Sequence, residues 1–329
     1  MPTVSIIVPN YNHAIFLQQR LDSIFNQSFQ DFEVILLDDA STDYSLDILK
    51  KYAQHPKVSH FIVNEENSGS PFRQWQKGLS LAQGKYVWIA ESDDWADLKF
   101  LEQLVDVLEK NEQIGLVYAH SLEVDQKGKE VGERWYVKNE KNAAFWKSSF
   151  QMNGINFLKQ FLAEINVIPN ASAVLFRKNV LDLSDMRAFH KRKTGDWWIW
   201  SSIALKSDVA FIAKPLNYFR SHAASTRVYR SKQERKLRIL EGIELLNFIT
   251  DQTNISKHRL REISKKLGGR WQKIYLNAKS IDLALFFPPF LQEQRLAYYF
   301  GFFAPQKKYY FIPYMLLLPM RLLYLNLKK

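Results

Sequence analysis

Apolar and polar positions follow two different periods along the first two thirds of the chain. Short runs rich in β-branched and aromatic residues predict strands, and stretches with an apolar residue every three or four positions predict helices. Helices separate the first five predicted strands, so the pattern predicts an α/β fold with a mainly parallel, buried sheet flanked by helices. The predicted strands cover residues 4–9, 32–39, 58–63, 85–90, 114–119, 171–176, 208–213 and 216–220, and the predicted helices include 71–82, 197–205, 231–250 and 257–279.

Polar side chains follow four of these strands at the points where the strands end. They are the segments 9–12, 38–39, 64–69 and 91–94. In an open α/β sheet, ligands bind at the carboxyl ends of the strands. We therefore expect these four clusters to meet at one edge of the sheet and to form a binding site there.

The most acidic cluster is WIAESDDWAD, residues 88–97, where an apolar strand runs directly into Glu91, Ser92, Asp93 and Asp94. Carboxylates this close together repel each other and resist burial, so the cluster favours a positively charged partner. The alternative is a solvated loop that caps the following helix.

Composition narrows the possible chemistry. The 329 residues include no cysteine, which excludes disulfides, thiolate metal sites and a cysteine nucleophile. The net charge of +11 is unevenly distributed: residues 1–226 carry −2, residues 227–279 carry +9 and residues 280–329 carry +4. The basic last third indicates contact with an anionic membrane surface or with nucleic acid.

Five motifs, in this order, resemble those of glycosyltransferase family 2. They are VSIIVPNYN (4–12), VILLDDASTDYS (34–45), NSGS (67–70), GKYVWIAESDDW (84–95) and TGDWWIW (194–200). The resemblance covers roughly residues 3–225. It implies a GT-A fold and an inverting transfer of sugar from a nucleotide diphosphate, most often UDP, to a hydroxyl group.

The resemblance assigns a donor pocket to the first three motifs. Asp39 matches the aspartate that accepts a hydrogen bond from the nucleotide base, and Pro9 and Tyr11 match positions lining the same pocket. Helix capping is the alternative for Asp39, but Asp43 is better placed to cap; the role of Asp38 stays open. SPFRQWQKG (70–78) departs from the usual family run, with Trp75 and Lys77 near the expected Asn, but keeps Arg73; we expect Arg73 or Lys77 to contact the nucleotide.

The acidic cluster matches the family's DxD motif, which holds Mn²⁺ or Mg²⁺ against the diphosphate. By this match Asp94 is the direct metal ligand and Asp93 contacts the ribose or a metal-bound water. Glu91 stands where many relatives have Asp. His222 matches a histidine that ligates the metal or contacts the diphosphate, although a surface histidine is the alternative; Arg220 and Arg227 beside it suit phosphate oxygens.

Asp196 of TGDWWIW matches the catalytic base of the family. Neighbouring tryptophans would desolvate this carboxylate and strengthen it as a base, and N-capping of the helix at 197–205 is the alternative. Trp197 or Trp198 either stacks on an acceptor sugar or packs in the core.

The chain is predicted to divide into a catalytic domain, 1–225, and a basic, aromatic-rich helical extension, 226–329. Residues 280–329 contain 13 aromatic residues, and 309–327 is interrupted by Pro313, Pro319 and Arg321, which disfavour a spanning helix. We expect this tail to contact a membrane surface. A helical subdomain packed on the core and an oligomer contact are the alternatives.

Together these features predict a metal-dependent glycosyltransferase that acts on a glycan or lipid-linked saccharide in the synthesis of cell-surface polysaccharide. No basic leader precedes the first strand, so we expect no signal peptide. The resemblance, with the basic aromatic tail, implies a cytoplasmic enzyme at the inner face of the cell membrane. Nucleic-acid binding through the last third and a non-catalytic, carbohydrate-binding relative are the competing functions. We expect no nucleic-acid partner, because the tail aromatics lie among Leu, Ile and Pro.

Overall fold

A computed structural model describes residues 1–133, 145–222 and 231–276 of the chain, and ten strands in these residues form one sheet. The order across the sheet is β3-β2-β1-β4-β9-β6-β10-β5, with β7 paired to β6 and β8 paired to β10. The strands are β1 Val4–Asn10, β2 Phe32–Asp38, β3 Val58–Val63, β4 Tyr86–Ile89, β5 Trp95–Ala96, β6 Ile114–Val124, β7 Glu130–Glu133, β8 Phe150–Met152, β9 Val174–Arg177 and β10 Asp208–Arg220.

Eight α-helices occur in the described residues. They are α1 Ala14–Phe25, α2 Ser45–Tyr52, α3 Pro71–Leu81, α4 Phe100–Lys110, α5 Gly154–Phe157, α6 Gly195–Ala204, α7 Lys232–Gln252 and α8 Lys257–Leu276. A turn of π-helix, Leu158–Leu162, follows α5.

The first four strands form the parallel half of the sheet, as the sequence predicted. β1 lies between β2 and β4 and runs parallel to both, and β2 also pairs in parallel with β3. Every residue of β1, β2 and β4 is buried. These strands are covered on both faces, which explains why their sequences are continuous apolar runs without alternation.

The other half of the sheet is mixed. β9 runs antiparallel between β4 and β6, whereas β6 and β10 pair in parallel. The sequence predicted two strands at 208–213 and 216–220, but the structure has one strand, β10, whose register with β6 shifts on both sides of Pro215. A proline lacks the N–H that the ladder needs, so the pairing is interrupted there and then resumes.

Helices cover both faces of the sheet. Leu17 and Leu21 of α1 and Leu104 of α4 join the buried cluster that contains Ile6 and Val8 of β1. On the opposite face α3 approaches β1 closely: a Cβ at Gly78 would lie 2.4 Å from Cγ2 of Ile7. Glycine at this position therefore lets α3 lie directly on the sheet.

The chain divides into two compact units, residues 1–253 and residues 254–329. The first contains the whole sheet and helices α1 to α7. Of the second, the structure describes 254–276, which include α8. The predicted division at residue 225 concerns function and stays a prediction.

Candidate active site

Hydrogen bonds join the polar segment that follows β1 to the one that follows β2. Asn12 has a φ of 55°, which turns the chain sharply between β1 and α1. Its Oδ1 accepts a hydrogen bond from the backbone N–H of Thr42 at 2.7 Å, and its own N–H donates to Oγ of Ser41 at 3.0 Å. Asp43 accepts from the backbone N–H of Ala14 and of Ser45, both at 2.9 Å, and so caps the first turns of α1 and α2.

The two aspartates that end β2 have separate structural partners. Asp38 Oδ1 accepts a hydrogen bond from Nδ2 of Asn10 at 2.9 Å, and its Oδ2 accepts from the backbone N–H of Ser41 at 2.8 Å. Asp39 is 4% exposed, and its carboxylate accepts five bonds, from Asn64 Nδ2 (2.6 Å), Asn67 Nδ2 (3.2 Å), Ser68 N (2.9 Å), Ser68 Oγ (2.8 Å) and Gln74 Nε2 (2.7 Å). Asp39 therefore joins the end of β2 to the loop and helix that follow β3.

The other residues expected in the donor pocket lie around this junction. Pro9 is buried in β1, opposite Leu37 of β2, whereas Tyr11 is 44% exposed beside the turn. Arg73 is exposed on α3 and donates from Nη1 to the backbone O of Ser68 at 3.2 Å. The structure thus brings the predicted pocket residues to one edge of the sheet; their contacts with a nucleotide stay predictions.

Two acids of the loop after β4 point to different neighbours. Glu91 Oε1 accepts a hydrogen bond from Nε1 of Trp75 at 2.8 Å. Asp93 Oδ2 lies 3.0 Å from Nε2 of His222, whose side chain is 4% exposed. The histidine that follows β10 therefore reaches the acidic loop, as a shared site requires.

Asp94 is held inside the chain. It is 2% exposed; its Oδ1 accepts from the backbone N–H of Arg220 at 2.9 Å, and its Oδ2 accepts from Nδ2 of Asn170 at 2.5 Å. The prediction that Asp94 ligates a metal remains a prediction, since both of its carboxylate oxygens are bonded here.

A buried arginine lies beneath this loop, and nothing in the local pattern predicts it beyond its place on the apolar face of α1. Arg20 is 0% exposed and donates from Nε to the backbone O of Glu91 at 2.9 Å, with its guanidinium 5.0 Å from the ring centre of Trp88. Its Nη1 and Nη2 have no hydrogen-bond partner within the part of the chain that the structure describes. Burial lowers the pKa of Arg20 to about 10.

Burial and mutual repulsion give the three carboxyl groups of the loop different pKa values. Burial, then the charges of Asp93 and Asp94, raises the pKa of Glu91 to about 8, and burial beside Asp93 raises the pKa of Asp94 to about 6. Burial also acts to raise the pKa of Asp93, but the hydrogen bond from His222 and the charge of His13 hold it below its usual value. Burial and the neighbouring charges therefore oppose ionisation of Glu91 most strongly and of Asp94 less, whereas they leave Asp93 readily ionised.

His13, Asp93 and His222 form a group of metal-ligand type. One ligand atom from each lies within 4.8 Å of those of the other two. Imidazole nitrogen and carboxylate oxygen are a donor set that suits Mn²⁺ and similar divalent ions, so these residues fit the cation that the resemblance implies. Asp93 and His222 were predicted from the family motifs, whereas His13 was not, because its position in the turn after β1 says nothing about its distance from residue 222.

Asp196 lies in the first turn of α6 and is oriented by an asparagine. Its Oδ2 accepts a hydrogen bond from Nδ2 of Asn166 at 2.9 Å. The Oδ1 of Asn166 accepts from the backbone N–H of Ile168 at 3.1 Å, which fixes the direction of the amide. Four residues later Asn170 binds Asp94, so one buried segment, 166–170, contacts both the expected base and the acidic loop.

The helix that carries Asp196 packs tightly against α3. A Cβ at Gly195 would lie 2.5 Å from Cγ of Phe72 and 2.7 Å from the backbone O of Ala188, so only glycine permits this approach.

The two tryptophans that follow Asp196 are buried. Trp197 is 5% exposed and donates to the backbone O of Leu162 at 2.8 Å, and Trp198 is 2% exposed. Both tryptophans therefore pack in the core, which decides between the two alternatives for them.

Arg220 supports the acidic loop and does not point toward solvent. It is 2% exposed and donates from Nε to the backbone O of Asp93 at 2.8 Å, from Nη1 to the backbone O of Gln126 at 2.8 Å and from Nη2 to Oε1 of Gln19 at 2.6 Å. The expectation that Arg220 binds phosphate oxygens does not agree with these bonds. Arg227 lies outside the described residues.

The comparison with known sequences agrees with this geometry. The sequence model described as Glycosyl transferase family 2 matches residues 5–165, which include β1 to β4 and the acidic loop. Residues 5–165 therefore form a glycosyltransferase family 2 domain. A Bacillus subtilis relative, the glycosyltransferase TuaG, is assigned provisionally to teichuronic acid biosynthesis; it is 38% identical over 111 residues, which are 33% of this chain and 44% of TuaG.

Solved structures confirm the fold of this family 2 chain. TarS 1–349 from S. aureus, in complex with UDP-GlcNAc, superimposes with a TM-score of 0.63 at 19% identity and covers 86% of this chain and 78% of that chain. The mannosyltransferase PcManGT from Pyrobaculum calidifontis, in complex with GDP-Man and Mn²⁺, gives a TM-score of 0.55 at 16% identity and covers 93% and 88%. The predicted GT-A fold is confirmed.

The predicted membrane contact falls on residues that the structure does not describe, since 277–329 lie outside the described ranges. Within those ranges, no helix is both long enough and apolar enough to cross a bilayer.

Proposed function

We propose that this family 2 chain transfers a sugar from a nucleotide diphosphate sugar, most readily a UDP-sugar, to a hydroxyl of a glycan or lipid-linked saccharide. The proposal rests on the segment 166–170, which contacts both parts of the candidate site. Asn166 donates a hydrogen bond to Asp196, and Asn170 donates one to Asp94 of the acidic loop. A base and a diphosphate-binding loop must act on opposite sides of one anomeric carbon, and this segment joins them in one site.

Asp196 acts as the base in this proposal. Its carboxylate takes the proton of the acceptor hydroxyl as that oxygen attacks the anomeric carbon. The bond between the anomeric carbon and the diphosphate oxygen breaks in the same step, its electron pair leaves with the diphosphate, and the configuration inverts. No covalent enzyme intermediate forms in this single displacement.

Asp93 and His222 hold the divalent cation, Mn²⁺ or Mg²⁺, in the proposed enzyme. Support comes from the 3.0 Å between their ligand atoms and from the charges of Asp93 and Asp94, which, after burial, raise the pKa of Glu91 to about 8 and which a cation would offset. When bound, such a cation neutralises the charge that develops on the leaving diphosphate. Asp94 and Arg220 hold the loop from beneath. The sequence-based prediction that Asp94 is also a metal ligand is retained.

The donor nucleotide lies against Pro9, Tyr11, Asp39 and Arg73 in the proposal. Tyr11 and Arg73 are exposed and free to pack on a base or ribose, whereas the Asp39 carboxylate already accepts five bonds. Asp39 therefore positions the segment 64–74. The nucleotide base binds the Asp39 carboxylate by replacing one of these five donors.

The acceptor belongs, in this proposal, to a cell-surface polymer assembled at the inner face of the membrane. The provisional assignment of TuaG to teichuronic acid biosynthesis and the UDP-GlcNAc in the TarS complex support this setting. The basic, aromatic residues 226–329 supply peripheral contact with the membrane surface, which brings a lipid-linked acceptor to the enzyme.

Calorimetric titration tests the donor site. We expect one of UDP, GDP and dTDP to bind the wild-type protein with an affinity that rises with Mn²⁺, and Asp93→Asn to lose that dependence. Asp196→Asn keeps nucleotide binding but loses about 10²–10⁴-fold in transfer to the acceptor. Asp106→Asn, which removes an exposed carboxylate on α4, is the matched control. Failure of all three nucleotides to bind, or full turnover by Asp196→Asn, would overturn the proposal.

A further inference from the structure

We propose that His13 is a third ligand of the cation held by Asp93 and His222, and that this ligand makes the chain selective for Mn²⁺ over Mg²⁺. The inference rests on the proposed function, because it concerns the same cation. The added ligand, His13, lies in the turn after β1 and is far from His222 along the chain.

Distance is the first support. The three ligand atoms lie within 4.8 Å of one another. A cation with bonds of about 2.1 Å holds its ligands roughly 3 to 4 Å apart, so small side-chain rotations close the three groups around one ion. None of the three side chains is fully exposed, so the groups meet in a partly desolvated site.

The orientation of His13 is the second support. Its Nδ1 lies 2.8 Å from Oγ of Ser92, which is 1% exposed. With Nδ1–H donating to this hydroxyl, the lone pair of the ring is on Nε2 and is available to a metal. Histidine ligands in proteins usually donate their second ring N–H to such a partner, which fixes the tautomer and the ring plane.

The surroundings of the two imidazoles are the third support. The rings of His13 and His222 approach edge to face with 5.6 Å between their centres, and Phe16 packs against both, at 6.0 Å and 5.0 Å. His13 ends the turn that Asn12 and Asp43 brace, so its backbone is held as well. The two imidazoles and the Asp93 carboxylate are therefore close together before any ion binds.

Selectivity follows from the donor atoms. Mg²⁺ prefers oxygen ligands, requires near-octahedral geometry and gives up water reluctantly, whereas imidazole nitrogen suits Mn²⁺ and the later divalent metals better. Asp93 with one histidine leaves most positions to water and phosphate oxygens, which Mg²⁺ tolerates. A second histidine replaces another oxygen and so penalises Mg²⁺ more than Mn²⁺.

The test is a titration of the full-length protein with MnCl₂ and, separately, MgCl₂, each in the presence of the nucleotide that the wild type binds. Wild type is compared with His13→Ala and His13→Gln, and with His60→Ala on β3 as a matched loss of one imidazole. We expect both His13 variants to bind Mn²⁺ at least about 10-fold more weakly, to change little toward Mg²⁺, and to melt close to wild type.

A spectroscopic readout separates ligation from folding. Pulsed electron paramagnetic resonance of bound Mn²⁺ reports the number of coordinated nitrogen atoms, and we expect two in the wild type and one in His13→Gln. Unchanged Mn²⁺ affinity in both His13 variants, equal weakening toward both ions, or an unchanged nitrogen count would overturn the role of His13. A wild type that binds no divalent cation with nucleotide would instead overturn the proposed function.

Discussion

Asp93 and Asp94 are adjacent in the chain, yet their side chains have different surroundings. Asp93 faces His222 across 3.0 Å, whereas Asp94 is 2% exposed and accepts from the backbone of Arg220 and from Asn170. The first is placed to bind an ion, and the second is placed to hold the loop. This difference yields a prediction that distinguishes the two acids.

Substitution by asparagine separates the roles. Asp93→Asn should bind Mn²⁺ at least about 10-fold more weakly while its unfolding free energy stays near wild type. Asp94→Asn should lose about 1–3 kcal/mol of unfolding free energy, because an amide cannot accept both bonds and leaves a buried donor unpaired. Calorimetry and urea unfolding measure the two effects. Loss of Mn²⁺ binding only in Asp94→Asn would restore Asp94 as the ligand.

Asn166 is the second residue whose surroundings imply a role, because its amide donates to the Asp196 carboxylate. A hydrogen bond to the ionised form lowers the pKa of a carboxyl group, and it also fixes the direction of the base. Asn166 is thus a positioning residue for the proposed base.

We expect Asn166→Ala to lower kcat about 10-fold with little change in the donor KM, because the Asp196 carboxylate loses the donor that directs it. Asn26→Ala, at an exposed position after α1, is the control. A weaker donor affinity that accounts for the whole loss, with kcat unchanged, would indicate a purely structural role.

At the scale of elements, α7 holds the loop that precedes α6. Glu241, 6% exposed, accepts from the backbone N–H of Arg192 at 2.9 Å, from that of Lys193 at 3.0 Å and from Oγ1 of Thr194 at 2.9 Å. Trp198 of α6 also stacks on Phe248 of α7 with 5.1 Å between ring centres. A helix beyond residue 225 therefore fixes the start of the helix that carries Asp196.

Removing the contact between Glu241 and the loop at 192–194 should lower the turnover number. Glu241→Ala leaves three donors without their acceptor two to four residues before Asp196, and we expect kcat to fall about 10-fold and hydrogen exchange at 192–196 to rise. Glu244→Ala on the same helix removes an exposed ion pair with Lys191, at 2.6 Å, and should change kcat less than about twofold. Equal effects of both variants would show that α7 acts only through general stability.

At the scale of the whole molecule, charge and chemistry occupy different parts of the chain. Residues 1–226 carry a net charge of −2 and all of the proposed site residues, whereas residues 227–329 supply the excess positive charge. In the proposed function, catalysis and membrane contact therefore depend on different parts of the sequence, except that Glu241 of α7 supports the loop before Asp196.

We predict that the full-length protein co-sediments with vesicles containing anionic lipid at about 0.1 M salt and is released at about 0.5 M, since salt screens such attraction. A chain ending at Thr253, where the first compact unit ends, should keep nucleotide binding and lose vesicle binding. Neutral vesicles are the control. Tight, salt-sensitive binding of oligonucleotides without vesicle binding would favour the nucleic-acid alternative.

The sequence by itself determined the elements and the edge of the sheet where the site forms. Apolar runs such as VSIIVP and FEVILLD form strands buried on both faces, and parallel strands bring their carboxyl ends to one edge. Asp39, Asp93 and Asp196 could therefore be placed at a common site from local patterns and family motifs. The GT-A fold followed from the same features and was confirmed.

Only the tertiary structure decided which atoms meet there. It turned Asp94 inward and Asp93 toward His222, placed Asn166 against Asp196 and Asn170 against the acidic loop, and brought His13 and Glu241 to these residues from distant segments. These contacts depend on side-chain direction and on packing between residues far apart in the chain. Periodicity and spacing record neither, because they describe only what is local along the sequence.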